Sequence, residues 1–477
     1  MPELGLELDF TDNVDLAPSD RKRSDFVLAI LPRLTILEKS AHTTFSGSIA
    51  APSFLYARTS GNDSVRPEVN LAGNAELVPR LFFVDGAVNV SQQYLSPFGA
   101  QPQSLVNATN NRYTAQSYRL SPYIKGESRG DLKYELRDNN IWSNATSAPI
   151  ATRASYTNEL IGDVRREPRP LGWSIDYRRD ETRFTSQPPF RDQIARGNGL
   201  WLPDREIELS AMAGYEETEF PTLSTSDVIY GAGFRWHPSD RTKLDARWEH
   251  RFFGTSYHVD FSEHTRLTTW SLGASRDITT FPQQLATLGA DQNVASLLDQ
   301  IFASRIADAT ERQTFVDQLI RDRGLPSALG SPLTLYTEQV TLRETVHATV
   351  GILGARNTVF VTADRTRSEP VTGVSTTPVD LLLLQNDTTQ YGTSVIWTHK
   401  LTPLLTLVTN GDWLRTTSNR QSGLRATQRN ARIVLSARLS PLTDVYTGVR
   451  YQTLDSTVAA SSYRETALFV GLRHFFR

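Results

Sequence analysis

Residues 243–252 read Lys-Leu-Asp-Ala-Arg-Trp-Glu-His-Arg-Phe, charged at every odd position and apolar or aromatic at every even one except His250. Successive side chains of a strand point to opposite faces, so this stretch predicts one strand with a charged face and an apolar face. The same alternation recurs from end to end. It predicts strands over residues 4–13, 25–38, 46–59, 71–78 and 81–95, then 113–126, 132–142, 156–166, 171–184, 192–202, 205–217 and 227–237. Beyond 243–252 it continues over 257–262 and 266–278, and resumes over 335–353, 357–366, 390–401, 404–415, 427–439, 444–454 and 464–476. Its sense holds within each strand: Trp173, Ile175 and Tyr177 alternate with Ser174, Asp176 and Arg178, and Tyr230, Ala232, Phe234 and Trp236 oppose Gly231, Gly233 and Arg235.

The connections alternate as well. Short, proline-marked turns fall at 79–80, 168–170, 203–204, 238–240, 402–403 and 440–441, and longer polar ones at 60–67, 186–191, 367–389, 416–426 and 458–462. Short turns at one end and long loops at the other are the habit of outer-membrane barrels, with the short turns in the periplasm. The fold class predicted is therefore all-β: a transmembrane antiparallel up-and-down β-barrel of about 22 strands, within a range of roughly 18–24. Residues 1–477 form a single barrel domain on this reading, apolar toward lipid, with Phe252 in the outer aromatic girdle. A soluble sandwich or propeller array needs a second apolar layer, and none is legible. Closure also removes the edges that so long a meander exposes.

One segment breaks the alternation. Within 291–323, Val294, Leu297, Leu298, Ile301 and Phe302 recur at helical spacing. A second helix is framed by Asp308 and Glu311 at its start and by Gly324 and Pro326 at its end, with Phe315, Val316, Leu319 and Ile320 as its stripe. Strand parity places this insert, residues 282–327, in an extracellular loop. It is either a helical hairpin closed on itself over the rim, or a lid or constriction at the mouth.

Composition agrees with a polar lumen. Hydrophobic residues are 39% of the chain, below the roughly 45–50% of a soluble globular protein. The 50 basic and 52 acidic residues nearly cancel, so nothing draws the chain to nucleic acid. Cysteine is absent, which removes disulfides and thiolate metal sites. No apolar run is long enough for a membrane helix. The chain enters alternation directly at Leu4, as a mature exported protein would, and no plug domain is read ahead of the first strand.

Catalytic signatures are missing: there is no Gly-x-Ser-x-Gly elbow, phosphate loop or His-Glu-x-x-His motif. His250, His258 and His264 cluster in sequence, and Glu206, Glu208 and Glu216 lie close together; both sets read as polar wall residues rather than a metal or acid–base site. No enzyme, cofactor or metal is expected. The functional surface is the inward face, which parity assigns to Asp176, Arg178, Arg235, Lys243, Asp245, Arg247, Glu249, Arg251, Arg343, Arg432, Arg438, Arg450 and Arg473 as candidate solute contacts. Arginine leads that set, and its planar fork suits carboxylates and phosphates. At the chain end, Gly471, His474 and Phe476 resemble the C-terminal signal read by the outer-membrane assembly machinery, with His474 where an aromatic is usual and Arg477 beyond the terminal Phe.

Several stretches together resemble the outer-membrane β-barrel family associated with PEP-CTERM/exosortase systems. They are TDNVDLAPS at 11–19, GNAELV at 73–78, SQQYLSP at 91–97, SPY at 121–123, GW at 172–173, GYE at 214–216 and RFFG at 251–254. The likeness extends over nearly the whole chain, the insert and closing strand included. It implies a Gram-negative outer membrane and a setting of exopolysaccharide production, and it carries over no functional residue. Two expectations follow. One is a channel or conduit linked to export of exopolysaccharide or another polar polymer. The other is a plugged structural barrel that docks a partner protein, since a lumen of this width leaks unless filled. Outer-membrane lipid and lipopolysaccharide are the expected surroundings.

Overall fold

The structure is a computed structural model that describes residues 1–128, 131–147, 151–185, 187–220, 224–287, 294–302, 306, 311–313, 315–316, 319–320, 337–371, 387–421, 423–458 and 461–476. The alternating stretches fold as long antiparallel strands. In order they are β1 (Pro2–Thr11), β2 (Asp25–Lys39), β3 (Thr43–Ala50), β4 (Ser53–Tyr56), β5 (Ser64–Val65), β6 (Glu68–Val78) and β7 (Phe82–Tyr94). Next come β8 (Arg112–Ser128), β9 (Leu132–Ser147), β10 (Ala151–Arg166), β11 (Leu171–Phe184), β12 (Phe190–Asp204) and β13 (Ile207–Glu219). They continue as β14 (Ser224–Ser239), β15 (Thr242–Arg251), β16 (Gly254–His264), β17 (Thr268–Thr279), β18 (Thr341–Leu353) and β19 (Asn357–Pro370). The last are β20 (Thr388–Lys400), β21 (Leu405–Ser418), β22 (Arg425–Ser440), β23 (Thr443–Ser456) and β24 (Tyr463–Phe475).

From β6 to β24 each strand pairs with the next in the chain, β1 pairs with β2, β3 pairs with β6, and β1 closes on β24 from Glu3↔Phe475 to Thr11↔Ala467. β3 and β4 are two halves of one broken wall strand against β2, and β5 is a short arm on β4. The wall is thus a closed barrel of 22 strands. Closure pairs the first strand with the last, as a sheet surrounded by lipid requires.

Lipid faces the apolar positions. Leu6, Leu8 and Phe10 on β1, Leu171, Trp173 and Ile175 on β11, and Leu468, Val470 and Leu472 on β24 are all exposed. Aromatic side chains mark both edges of this band: Trp201, Trp270 and Trp397 toward the short turns, and Trp142, Tyr215, Tyr230, Tyr391 and Tyr451 toward the long loops. An outward apolar belt with aromatic girdles is the surface of an outer-membrane β-barrel, and the protein resides in that membrane.

Two glycines are structural. Gly47 has φ +144°, and a Cβ there would collide with the backbone carbonyl of Asn70 on β6. Gly47→Val is expected to block β3–β6 pairing and to cut the heat-modifiable, folded band on a gel by more than about half; an unchanged band would count against it. Gly254, with φ +91°, closes a two-residue extracellular turn at Phe252 and Phe253. This turn corrects the expectation for Phe252. Its ring lies in no lipid girdle but packs on Phe220 and Phe253, in a cluster with Phe190 and Val340 on the inner side of the mouth.

Candidate functional site

Register and burial place every sequence-predicted lumen residue on the face opposite the exposed apolar side chains. Side chains of opposite sign meet there across neighbouring strands. Arg235 donates to Asp245 at 2.8 Å and to Glu208 at 3.0 Å, and Glu208 also accepts from Arg165 at 2.8 Å. Arg178 lies 2.8 Å from both Glu159 and Asp180, Arg438 3.7 Å from Asp444 and Arg473 3.0 Å from Glu3. Asp176 accepts from Asn198 at 3.0 Å, and Arg343 donates to Gln284 at 2.9 Å. The Arg432 guanidinium sits 4.8 Å from the centre of the Phe469 ring.

Three of the predicted solute contacts are not available to a solute. Glu249 and Arg251 are each 3% exposed and Arg450 is 2% exposed. Arg251 donates to Glu216 at 3.1 Å, contacts Asp277, and lies 3.4 Å from Asp192. Arg450 joins Asp9 at 3.1 Å and Glu465 at 2.9 Å, while Glu249 accepts from Arg196 at 2.8 Å. They are internal ties of the wall, because alternation reports a face and not what covers it. Lys243 and Arg247 are exposed, with Arg247 3.3 Å from Glu249. The clustered histidines part company: His250 stacks outward on Tyr230, and His258 pairs inward with Asp260. At the chain end His474 meets Thr443 at 3.0 Å and packs edge-on to Phe476, and Gly471 abuts Tyr446.

What covers the wall is the chain itself. Residues 95–111, between β7 and β8, fold inward and cross to the wall formed by β21–β24 and β1. Gln103 donates from its backbone to Gln452 at 3.1 Å and from its side chain to Asp412 at 2.5 Å. Asn107 donates to Glu465 and accepts from Gln452, both at 3.1 Å. Gln428 donates to the Gln101 carbonyl at 2.6 Å, and Ser456 to the Phe98 carbonyl at 2.8 Å. Phe98 and Val106 anchor the crossing: Phe98 packs with Leu16, Leu454 and Tyr463, and Val106 with Val27, Phe54 and Tyr56. Polar partners on both sides let a loop lie inside the barrel, although the Gln101 and Gln103 side-chain oxygens are buried without a partner among the described residues.

The insert also turns inward. It opens with α1 (Phe281–Thr287), a helix that the sequence reading missed, whose Phe281 and Leu285 pack on Tyr113, Ala115 and Ala145 of β8 and β9. Then α2 (Val294–Phe302) buries Val294, Leu298 and Phe302, with Val316, against Phe360 of β19 and Ile396 of β20. Phe360 lies three residues from the periplasmic start of β19 and Ile396 four from the periplasmic end of β20. The helix therefore reaches deep into the lumen instead of resting over the rim. Residues 311–313, 315–316 and 319–320 are helical; Asp308, Gly324 and Pro326, proposed as helix bounds, lie outside the described residues. Residues 337–340 are buried too, with Val340 against Phe190 and Phe220.

No protein-family model and no curated protein matches the sequence. Among solved structures, the siderophore receptor PirA from Acinetobacter baumannii is 10% identical with a TM-score of 0.49, covering 100% of this chain and 80% of its own. The FrpB iron transporter from Neisseria meningitidis is 8% identical with a TM-score of 0.49, covering 99% and 81%. OccK2 (OpdF) from Pseudomonas aeruginosa is 10% identical with a TM-score of 0.36, covering 99% and 97%.

Proposed function

We propose that this barrel is an outer-membrane conduit for polar, anionic solutes or polymers, held closed by its own inward-folded segments. The observation that carries the reading is the crossing of residues 95–111, a segment tied to the wall by amide and carboxylate bonds beside two small apolar anchors at Phe98 and Val106. Such bonds swap readily for water, so the closed state is one that a solute or partner can release. The exposed lumen cations Lys243 and Arg247, with the half-buried Arg235, supply the attraction for carboxylate or phosphate groups. Exopolysaccharide is the polymer favoured, on the resemblance to exosortase-associated barrels alone.

Ion selectivity tests this reading. In a barrel whose residues 98–107 are replaced by a short glycine-serine link, reversal potentials under a salt gradient are expected to favour anions. Adding Arg235→Ala, Lys243→Ala and Arg247→Ala is expected to lower that preference by about threefold or more. An unchanged preference would remove the basis for an anionic cargo. The second reading, a plugged barrel that docks a partner, draws on the filling of the lumen by three separate segments; a shortened variant that still passes no current would favour it.

A further inference from the structure

We propose that the outward face of β9–β11 binds a second copy of this chain about a two-fold axis passing by Leu160. The proposal is independent of what the lumen carries. On β9 the outward residues Tyr134 and Trp142 stand eight positions apart, and Asp138 lies midway between them, on the lipid side. Asn140 and Asn158 sit beside it. Asn158 donates to Asp138 at 2.6 Å, Asn140 donates to Asp138 at 2.9 Å, and the Tyr156 hydroxyl donates to Asn140 at 2.5 Å. Leucines frame the cluster, since Leu120 pairs with Asn140 and Leu160 with Asp138 in register. Elsewhere the outward positions between the girdles include Val259, Val361, Val395, Val449 and Val470. A carboxylate and two amides facing hydrocarbon are costly unless something polar covers them.

The cover fits a second copy because the row is complementary to itself. Asp138, Leu160 and Arg179 occupy consecutive places across β9, β10 and β11. Within one chain the acid and the base are two strand spacings apart, about 10 Å, with Leu160 between them. The partners of Asp138 are amides, and Arg179 gives one Nη to Glu181 of its own chain at 3.1 Å, which leaves its other Nη for a second acid. A two-fold axis along the membrane normal, near Leu160, brings Asp138 of each copy to the side of the other's Arg179, and does so twice. It also presents the Asn158 amide, which both donates and accepts, toward its own copy.

The absence of cysteine makes the test direct. Leu160→Cys in the intact outer membrane is expected to give a disulfide-linked band of two chains, because residues near the axis meet their own copies within the reach of a disulfide. Ile433→Cys, on the exposed wall elsewhere, serves as the control. In the Leu160→Cys background, Asp138→Arg is expected to cut cross-linking at least about fivefold by like-charge repulsion, and Asp138→Arg with Arg179→Asp to restore most of it. The gel-shift of the folded barrel reports that each variant still assembles. Cross-linking no greater than in the Ile433→Cys control, an unrestored double variant that is folded, or a linked band containing a different polypeptide would each overturn the proposal.

Discussion

Replacing residues 98–107 by a short glycine-serine link is expected to raise the single-barrel current on the order of tenfold and make it steady. The segment contributes Phe98, Gln101, Gln103, Val106 and Asn107, the side chains or carbonyls that bridge the lumen. Without them Asp412, Gln452 and Glu465 face lumen water, which meets their hydrogen-bonding needs, so the wall itself loses little. β7 and β8 remain paired from Phe82↔Ile124 to Tyr94↔Arg112. Planar-bilayer recordings check the current, and uptake of a bulky antibiotic by cells checks it in place. A current equal to that of the intact barrel would mean that the insert closes the lumen without help. In that event the plug is a fixture of the wall and not a gate.

The second large effect concerns stability. Arg251→Met is expected to cost about 3–5 kcal/mol, because it strands carboxylates that have been taken out of water around one guanidinium. Asp192 and Glu216 are buried, and both lose their cation at once; Asp277 is half-exposed and suffers less. The change also removes the cation from the Phe253 ring, 4.9 Å away. Urea unfolding from lipid vesicles, read by the gel shift of the folded barrel, measures the loss. Glu216→Gln added to Arg251→Met is expected to recover part of it, since one of the stranded charges is then gone. A loss under about 1 kcal/mol would mean that water reaches these carboxylates and that the tie is an ordinary surface pair.

The wall was legible because a barrel is written with period two, and each strand carries the message again. Trp173, Ile175 and Tyr177 point out and Ser174, Asp176 and Arg178 point in, as alternation says, and the proline turns fall at one end. The contents of the lumen were not legible in the same way. Residues 96–111 read as an ordinary polar loop, because the buried Phe98 and Val106 stand apart in a run of Pro, Gln and Asn with no period. The apolar stripe of α2 was visible, yet a stripe does not name its partner, and Phe360 and Ile396 belong to strands that come two and three elements later in the chain. The roles of Arg251 and Arg450 were hidden for the same reason: their acids come from β12, β13 and β17 in one case and from β1 and β24 in the other.

The anchorage of the crossing segment bears on the order in which the molecule is made. Asn107 is held by Gln452 and Glu465, and Glu465 in turn accepts from Thr11 at 2.8 Å and pairs with Arg450, which also holds Asp9. These residues straddle the seam between the first strand and the last, the final pair to meet when a barrel closes. The Val106 end of the segment has its seat on β2 and β4, but the Asn107 seat exists only once β1 and β24 have met. Closure of the wall and full seating of residues 95–111 are thereby coupled.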